Sequence, residues 1–209
     1  MKLVYFHGFM SSGASGTVES LRHMLPELEV VAPDIPVDPA EALPYLKQFV
    51  ADEQPDIIVG TSMGAMYAQQ MFGFKKICVN PSFNMSTMSK VMKANTTYPF
   101  QNGRKDGAKT FKITGQIVKN FNMMERQQFK GITDFDRENT YGLFGNHDTT
   151  VNCYDIFKKH YPNAQRFEGE HRLNDKSLRT AVVPLIKQIL SLYPPHLRES
   201  EAPQLTFAP

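Results

Sequence analysis

Ser62 stands between two glycines in Gly60-Thr61-Ser62-Met63-Gly64, directly after the run DIIV (56–59) and directly before MGAMYAQQMF (63–72). The spacing is that of a G-x-S-x-G nucleophile elbow, a sharp strand-to-helix turn that lifts a serine hydroxyl above the edge of a sheet. Glycines suit such a turn because a side chain at either flank would meet the neighbouring strand or helix. A hydroxyl is a weak nucleophile at neutral pH, so the reading requires a histidine to take its proton and a carboxylate to hold that histidine.

Six histidines are available. His171, in EGEHRL, follows the last expected strand and precedes the last expected helix, which puts it on the same sheet edge as Ser62. Asp148, in YGLFGNHDTTV, follows the preceding strand and is the candidate acid, with Asp34 in APDIPVD as its rival. His147 adjoins that acid, and His23, His160 and His196 read as solvated surface residues. An acyl-transfer reaction also needs donors for the developing oxyanion. The elbow supplies the Met63 N–H, and the HGFMSSG loop after the first strand offers the Phe9 N–H, with His7 expected to orient that loop.

The elements that must carry these residues are short apolar runs at 2–6, 30–32, 56–60, 76–80, 141–145 and 164–168. Helix-compatible stretches fall near 17–25, 40–51, 63–72, 152–160 and 175–192. The alternation implies βαβ units, hence a three-layer α/β sandwich with a mostly parallel sheet. Residues 82–140 break the rhythm. They show no convincing strand and are expected to form a helical insertion within a single domain spanning 1–193, with 194–209 as a C-terminal tail.

The 209 residues, 41% hydrophobic and 21% charged, describe an ordinary globular chain with one sizeable core. A net charge of +2 is too small for a general nucleic-acid footprint, and no apolar run reaches membrane-spanning length. MKLVYFHGFM turns polar too early for a secretory segment. Cys78 and Cys153 lack metal-ligand spacing and read as reduced thiols, so the expected location is cytoplasmic and no metal is expected. Within the insertion, Met85, Met88 and Met92 recur at helical spacing, with Met123 and Met124 further on, which suits either an acyl pocket or ordinary packing. Seven basic residues (Arg104, Lys105, Lys109, Lys112, Lys119, Arg126, Lys130) face only Asp106 and Glu125 in 102–130, consistent with an anionic substrate or a solvated surface.

With YFHGF, GTSMG, VNPS, GNHDTTV and GEHR in this order, the chain resembles the small α/β-hydrolases, and among them the bacterial YqiA-like esterases, over nearly its whole length. The order Ser62, Asp148, His171 agrees with that resemblance. It implies a serine esterase or thioesterase with Ser62 as nucleophile, Asp148 and His171 as partners, Phe9 and Met63 as oxyanion donors, a lid in 82–140, no cofactor, and a small-molecule ester or thioester as substrate. Two other readings stay open at this point: an inert binding module on the same fold, and an acyltransferase or lyase using the same elbow.

Overall fold

The computed structural model describes residues 1–88 and 92–191; the expected tail, 194–209, lies outside the described residues. Six strands form one all-parallel sheet: β1 (Lys2–Phe6), β2 (Glu29–Val31), β3 (Ile57–Thr61), β4 (Lys76–Val79), β7 (Thr140–Gly145) and β8 (Asn163–Phe167), in the order β2-β1-β3-β4-β7-β8. Their residues alternate between two cores, as the two-residue period of a strand requires. Val4, Phe6, Ile58, Cys78 and Phe144 pack on one face, and Leu3, Tyr5, Ile57, Val59, Ile77, Val79 and Leu143 on the other. Burial on both faces is why these strands read as nearly continuous apolar runs.

Helices α1 (Gly16–Met24), α2 (Pro39–Glu53), α3 (Met63–Ala68) and α6 (Tyr154–Lys158) connect these strands, and the last described helical stretch follows β8. α2 starts where Asp38 accepts from the Ala40 N–H and Pro39 occupies the first turn, both strong start signals. α3 stops at Ala68, short of the expected 72, because the Gln70 and Met71 N–H groups bond back only three residues and tighten the chain out of the helix. The final stretch is in three pieces, α7 (Asp175–Ser177), a π-helical turn (Leu178–Val182) and α8 (Val183–Ile189).

Between β4 and β7 the structure corrects the expectation of a strandless segment. β5 (Thr96–Pro99) and β6 (Thr110–Ile113) form an antiparallel hairpin, with Tyr98 opposite Phe111, followed by α4 (Gly115–Glu125) and α5 (Asp134–Glu138). Thr97, Pro99, Thr110 and Lys112 of this hairpin are exposed, so no apolar run marks it in the sequence. α4 joins the main core through Phe121 and Met124. Beneath the segment, Lys76 and Asp136 form an ion pair with both side chains fully buried and N···O 2.6 Å.

The sheet order turns at β1, which has β2 on one side and β3 on the other. Crevices outside the carboxyl ends of strands at such a point are where open α/β sheets hold their ligands. His7 follows β1 there, and Ser62 follows β3.

Candidate functional site

At the end of β3, Ser62 has φ 54° and ψ −118°, a conformation that an L-residue adopts only when its surroundings impose it. The flanking glycines show what imposes it. A Cβ on Gly60 would stand 2.7 Å from Ala65 Cα, and one on Gly64 would overlap the Phe6 carbonyl, so β1, β3 and α3 approach each other backbone to backbone. The Ser62 N–H bonds to Val79 O (2.9 Å) and its carbonyl accepts from Ser82 N–H (3.1 Å), which fixes the elbow against β4.

The Ser62 hydroxyl lies 3.0 Å from His171 Nε2, and His171 Nδ1 lies 2.7 Å from Asp148 Oδ2. The other Asp148 oxygen accepts from the Thr150 and Val151 N–H groups at 2.8 and 3.0 Å. Burial pushes the Asp148 carboxyl up, but the bonds from His171, Val151 and Thr150 outweigh it and hold the group below its ordinary range. Asp148 is therefore an anion suited to accept from an Nδ1–H, and in that tautomer the His171 Nε2 lone pair faces the Ser62 hydroxyl.

Two further side chains build this arrangement, and both lie in VNPS directly after β4. Buried Asn80, at φ 44°, donates to the carbonyls of Glu170 (2.9 Å) and His171 (3.1 Å) and accepts from Gly145 N–H (2.7 Å). One amide thus ties the end of β7 to the histidine loop. Buried Ser82 places its Oγ 3.0 Å from Ser62 Oγ. A polar residue closing an otherwise buried strand was the visible signal for Asn80; nothing in the sequence distinguished Ser82 from an ordinary turn residue.

The first loop closes a turn from Ser11 N–H to Gly8 O (3.2 Å), with Met10 at φ 65°. A Cβ on Gly8 would lie 3.5 Å from Ser62 Cβ, so this loop rests on the elbow. His7 is buried; its Nδ1–H donates to Gly8 O (2.9 Å) and its Nε2 accepts from Ile35 N–H (3.0 Å). Burial pushes His7 down to about 4, so it is neutral at pH 7 and serves the loop's shape. Among the described residues, neither the Phe9 nor the Met63 N–H donates to a protein acceptor. The Phe9 residue lines the same cavity as Ser62 and His171, whereas the Met63 side chain is buried in the core below.

The inserted segment holds this loop from outside. The Phe9 ring meets Phe111 and Tyr98 edge-on at centroid distances of 5.3 and 6.0 Å. Gln101 N–H donates to Met10 O (2.8 Å), Ser12 Oγ to Gly103 O (2.7 Å) and Asn102 Nδ2 to Ser11 Oγ (3.0 Å). Asp34, the rival acid, has its two oxygens on Gly13 N–H (2.8 Å) and Lys105 N–H (2.7 Å), a bridge between the loop and the hairpin tip. His147 bonds Glu168 at 2.7 Å in an exposed pair.

The cavity over Ser62 measures about 890 Å³, within the range of small-molecule sites. Met85 and Met88 line it, but Met92 and Met124 are core residues and Met123 faces solvent. None of the seven basic residues of 102–130 lines it; the Arg104 guanidinium stacks on Phe100 (4.5 Å) and pairs with Asp106 (3.0 Å). Among the described residues, Arg172 is the lysine or arginine that lines the cavity. Cys78 and Cys153 are free and buried. Among the described residues no cluster of three or more His, Cys, Asp or Glu is placed to hold a metal ion, and no helix is long and apolar enough to cross a membrane.

Comparisons with known proteins agree with this architecture. The model of an uncharacterised protein family (UPF0227) matches residues 2–163, which include Ser62 and Asp148 and stop just short of His171. Among solved structures, Est1E from Butyrivibrio proteoclasticus superposes with a TM-score of 0.64 at 13% identity, covering 91% of this chain and 88% of that one. The esterase domain of a Rhodothermus marinus protein gives 0.57 at 15% identity, with 90% and 86% covered. A thioesterase domain from the curacin biosynthetic pathway gives 0.53 at 14% identity, with 90% of each chain covered. The fold is that of the α/β-hydrolases, as the sequence led one to expect.

Proposed function

This chain belongs to the UPF0227 family and has the α/β-hydrolase fold, and from that premise we propose that it is a serine hydrolase cleaving a carboxylic ester or thioester through an acyl-serine intermediate. The observation that carries the reading is the continuous chain Asp148 Oδ2···His171 Nδ1, His171 Nε2···Ser62 Oγ, at 2.7 and 3.0 Å, on a strained elbow facing a cavity. Ser62 Oγ attacks the carbonyl carbon while its proton passes to His171 Nε2, and Asp148 stabilises the imidazolium. The oxygen of the tetrahedral intermediate is received by the Phe9 and Met63 N–H groups. As the intermediate collapses, the bond to the leaving oxygen or sulfur breaks and the leaving group takes the proton from Nε2. Water, deprotonated by His171, then releases the acid and returns the proton to Ser62.

The names of the structural neighbours, an esterase domain and a thioesterase domain among them, support ester and thioester substrates. Residues 82–140 serve as a lid that shapes the cavity within a single domain over 1–193, Met85 and Met88 contacting the acyl group. Two buried free thiols support a reducing, cytoplasmic setting. The reaction calls for no cofactor. The test is hydrolysis of p-nitrophenyl butyrate by the parent and by Ser62→Ala, with a turnover loss of about 10⁴-fold or more expected in the variant. A Ser62→Ala protein as active as the parent removes the nucleophile from the mechanism.

A further inference from the structure

Ser82 is buried, and the only side-chain partner of its hydroxyl among the described residues is the Ser62 hydroxyl, at 3.0 Å. In the resting state that the serine-hydrolase reading requires, proton accounting gives the direction of that bond. Asp148 accepts the Nδ1 proton of His171, and the free Nε2 lone pair accepts the single proton of Ser62. Ser62 Oγ therefore has no proton left for Ser82 and can only accept from it. The Ser82 O–H is aimed at the lone pairs of the nucleophile.

Its place is not an accident of a loose loop. The Ser82 backbone N–H donates to the Ser62 carbonyl at 3.1 Å, so main chain and side chain of Ser82 both grip the same residue. Asn80, two residues earlier, is pinned to the end of β7 and to the histidine loop. The hydroxyl donor, the imidazole acceptor and the nucleophile are thus held by one short connection after β4.

Resting on the serine-hydrolase reading, we infer that Ser82 is a further catalytic residue, a hydrogen-bond donor to Ser62 Oγ. As Ser62 gives its proton to His171, negative charge gathers on Oγ, and a donor already in place stabilises it without reorganisation. The same bond orients the Ser62 hydroxyl toward His171. In the second half-reaction Ser62 Oγ is the leaving oxygen, and the Ser82 donor stabilises it again as the acyl bond breaks.

Phosphonylation by a fluorophosphonate tests this without knowing the natural substrate. Ser62 Oγ forms the bond to phosphorus, fluoride departs with the electrons of the P–F bond, and the proton goes to His171. The rate of Ser62 modification is followed by intact mass over a range of probe concentrations, which separates probe binding from the chemical step. In Ser82→Ala the maximal rate is expected to fall about 10- to 100-fold with half-saturation unchanged, and Ser82→Thr, which keeps the hydroxyl, is expected to recover most of it. Parent-like labelling by Ser82→Ala overturns the role of Ser82 and leaves that of Ser62 standing. Equal loss in Ser82→Ala and Ser82→Thr, at parent melting temperatures, also overturns it, since the hydroxyl would then not be what matters. A parent protein that is not modified at Ser62 removes both.

Discussion

The elbow and the first loop face the same cavity but are held there by different means. Ser62 is placed by exclusion: Gly60 and Gly64 let three backbones approach so closely that the turn has nowhere else to go. Phe9 is placed by attachment. Its ring rests on Tyr98 and Phe111, and its loop is tied to 101–105 by hydrogen bonds that Met10 O and Ser11 Oγ accept and Ser12 Oγ donates, and by the Asp34 bridge. Ser62 thus draws its geometry from the sheet, and the loop beside it borrows its geometry from the inserted hairpin. A change in the hairpin is therefore a change at the Phe9 loop, whereas the backbone hydrogen bonds of Ser62 run to Val79 and Ser82 and not to the hairpin.

The comparison is broken most severely by Gly64→Ala, whose methyl group would overlap the Phe6 carbonyl at the root of the first loop. A destabilisation of about 4 kcal/mol or more is expected in urea unfolding, with loss of ester turnover. A stable, active Gly64→Ala protein would mean that exclusion does not set the elbow.

His7 gives the next largest effect. Its folded value of about 4 lies below its ordinary 6.5, so on acidification the unfolded chain takes up the proton first. The stability this group contributes is intact above pH 6.5 and declines as pH falls toward 4, by about 3 kcal/mol in all. His7→Gln should show a shallower fall across that window. Unfolding free energies with the same pH slope in parent and variant would exclude His7 as the loop's acid-sensitive support.

Asp34→Ala sharpens the comparison from the other side. Losing the bridge to Gly13 and Lys105 is expected to cost about 1–3 kcal/mol of stability and to lower kcat about tenfold, while the Ser62–His171 contact stays in place. A crystal structure of the variant with an unaltered first loop and parent kcat would show that the loop holds itself. Asn102→Ala removes one half-buried bond to Ser11 and should have the smallest effect, about 0.5–1 kcal/mol and a twofold to threefold loss in kcat, read from initial rates.

What the sequence disclosed follows the same division. Strands buried on both faces write themselves as apolar runs, so DIIVG and YGLFG marked β3 and β7 to within a residue. Ser62, Asp148 and His171 stood out because reactive types fell just past those strands, and the structure brings the three within hydrogen-bonding distance. The hairpin was missed because half of its residues face water and carry no apolar signature. Ser82 and the bridging role of Asp34 were illegible for another reason: each is a single polar residue whose partners lie far along the chain, and for Asn80 the polar end of a buried strand was visible but its partners were not. The basic run of 102–130 showed charge without direction, and its side chains lie away from the cavity wall.

The hydrogen bonds that Ser11 accepts and Ser12 donates join them to residues 91 positions downstream. During synthesis, the turn at Gly8–Ser11 leaves the ribosome long before the partners that give it a shape, and His171 follows later still. A nascent chain therefore carries Ser62 before either the hairpin that shapes the first loop or the imidazole that contacts its hydroxyl exists, and the surroundings of Ser62 are completed only after residue 171 has emerged.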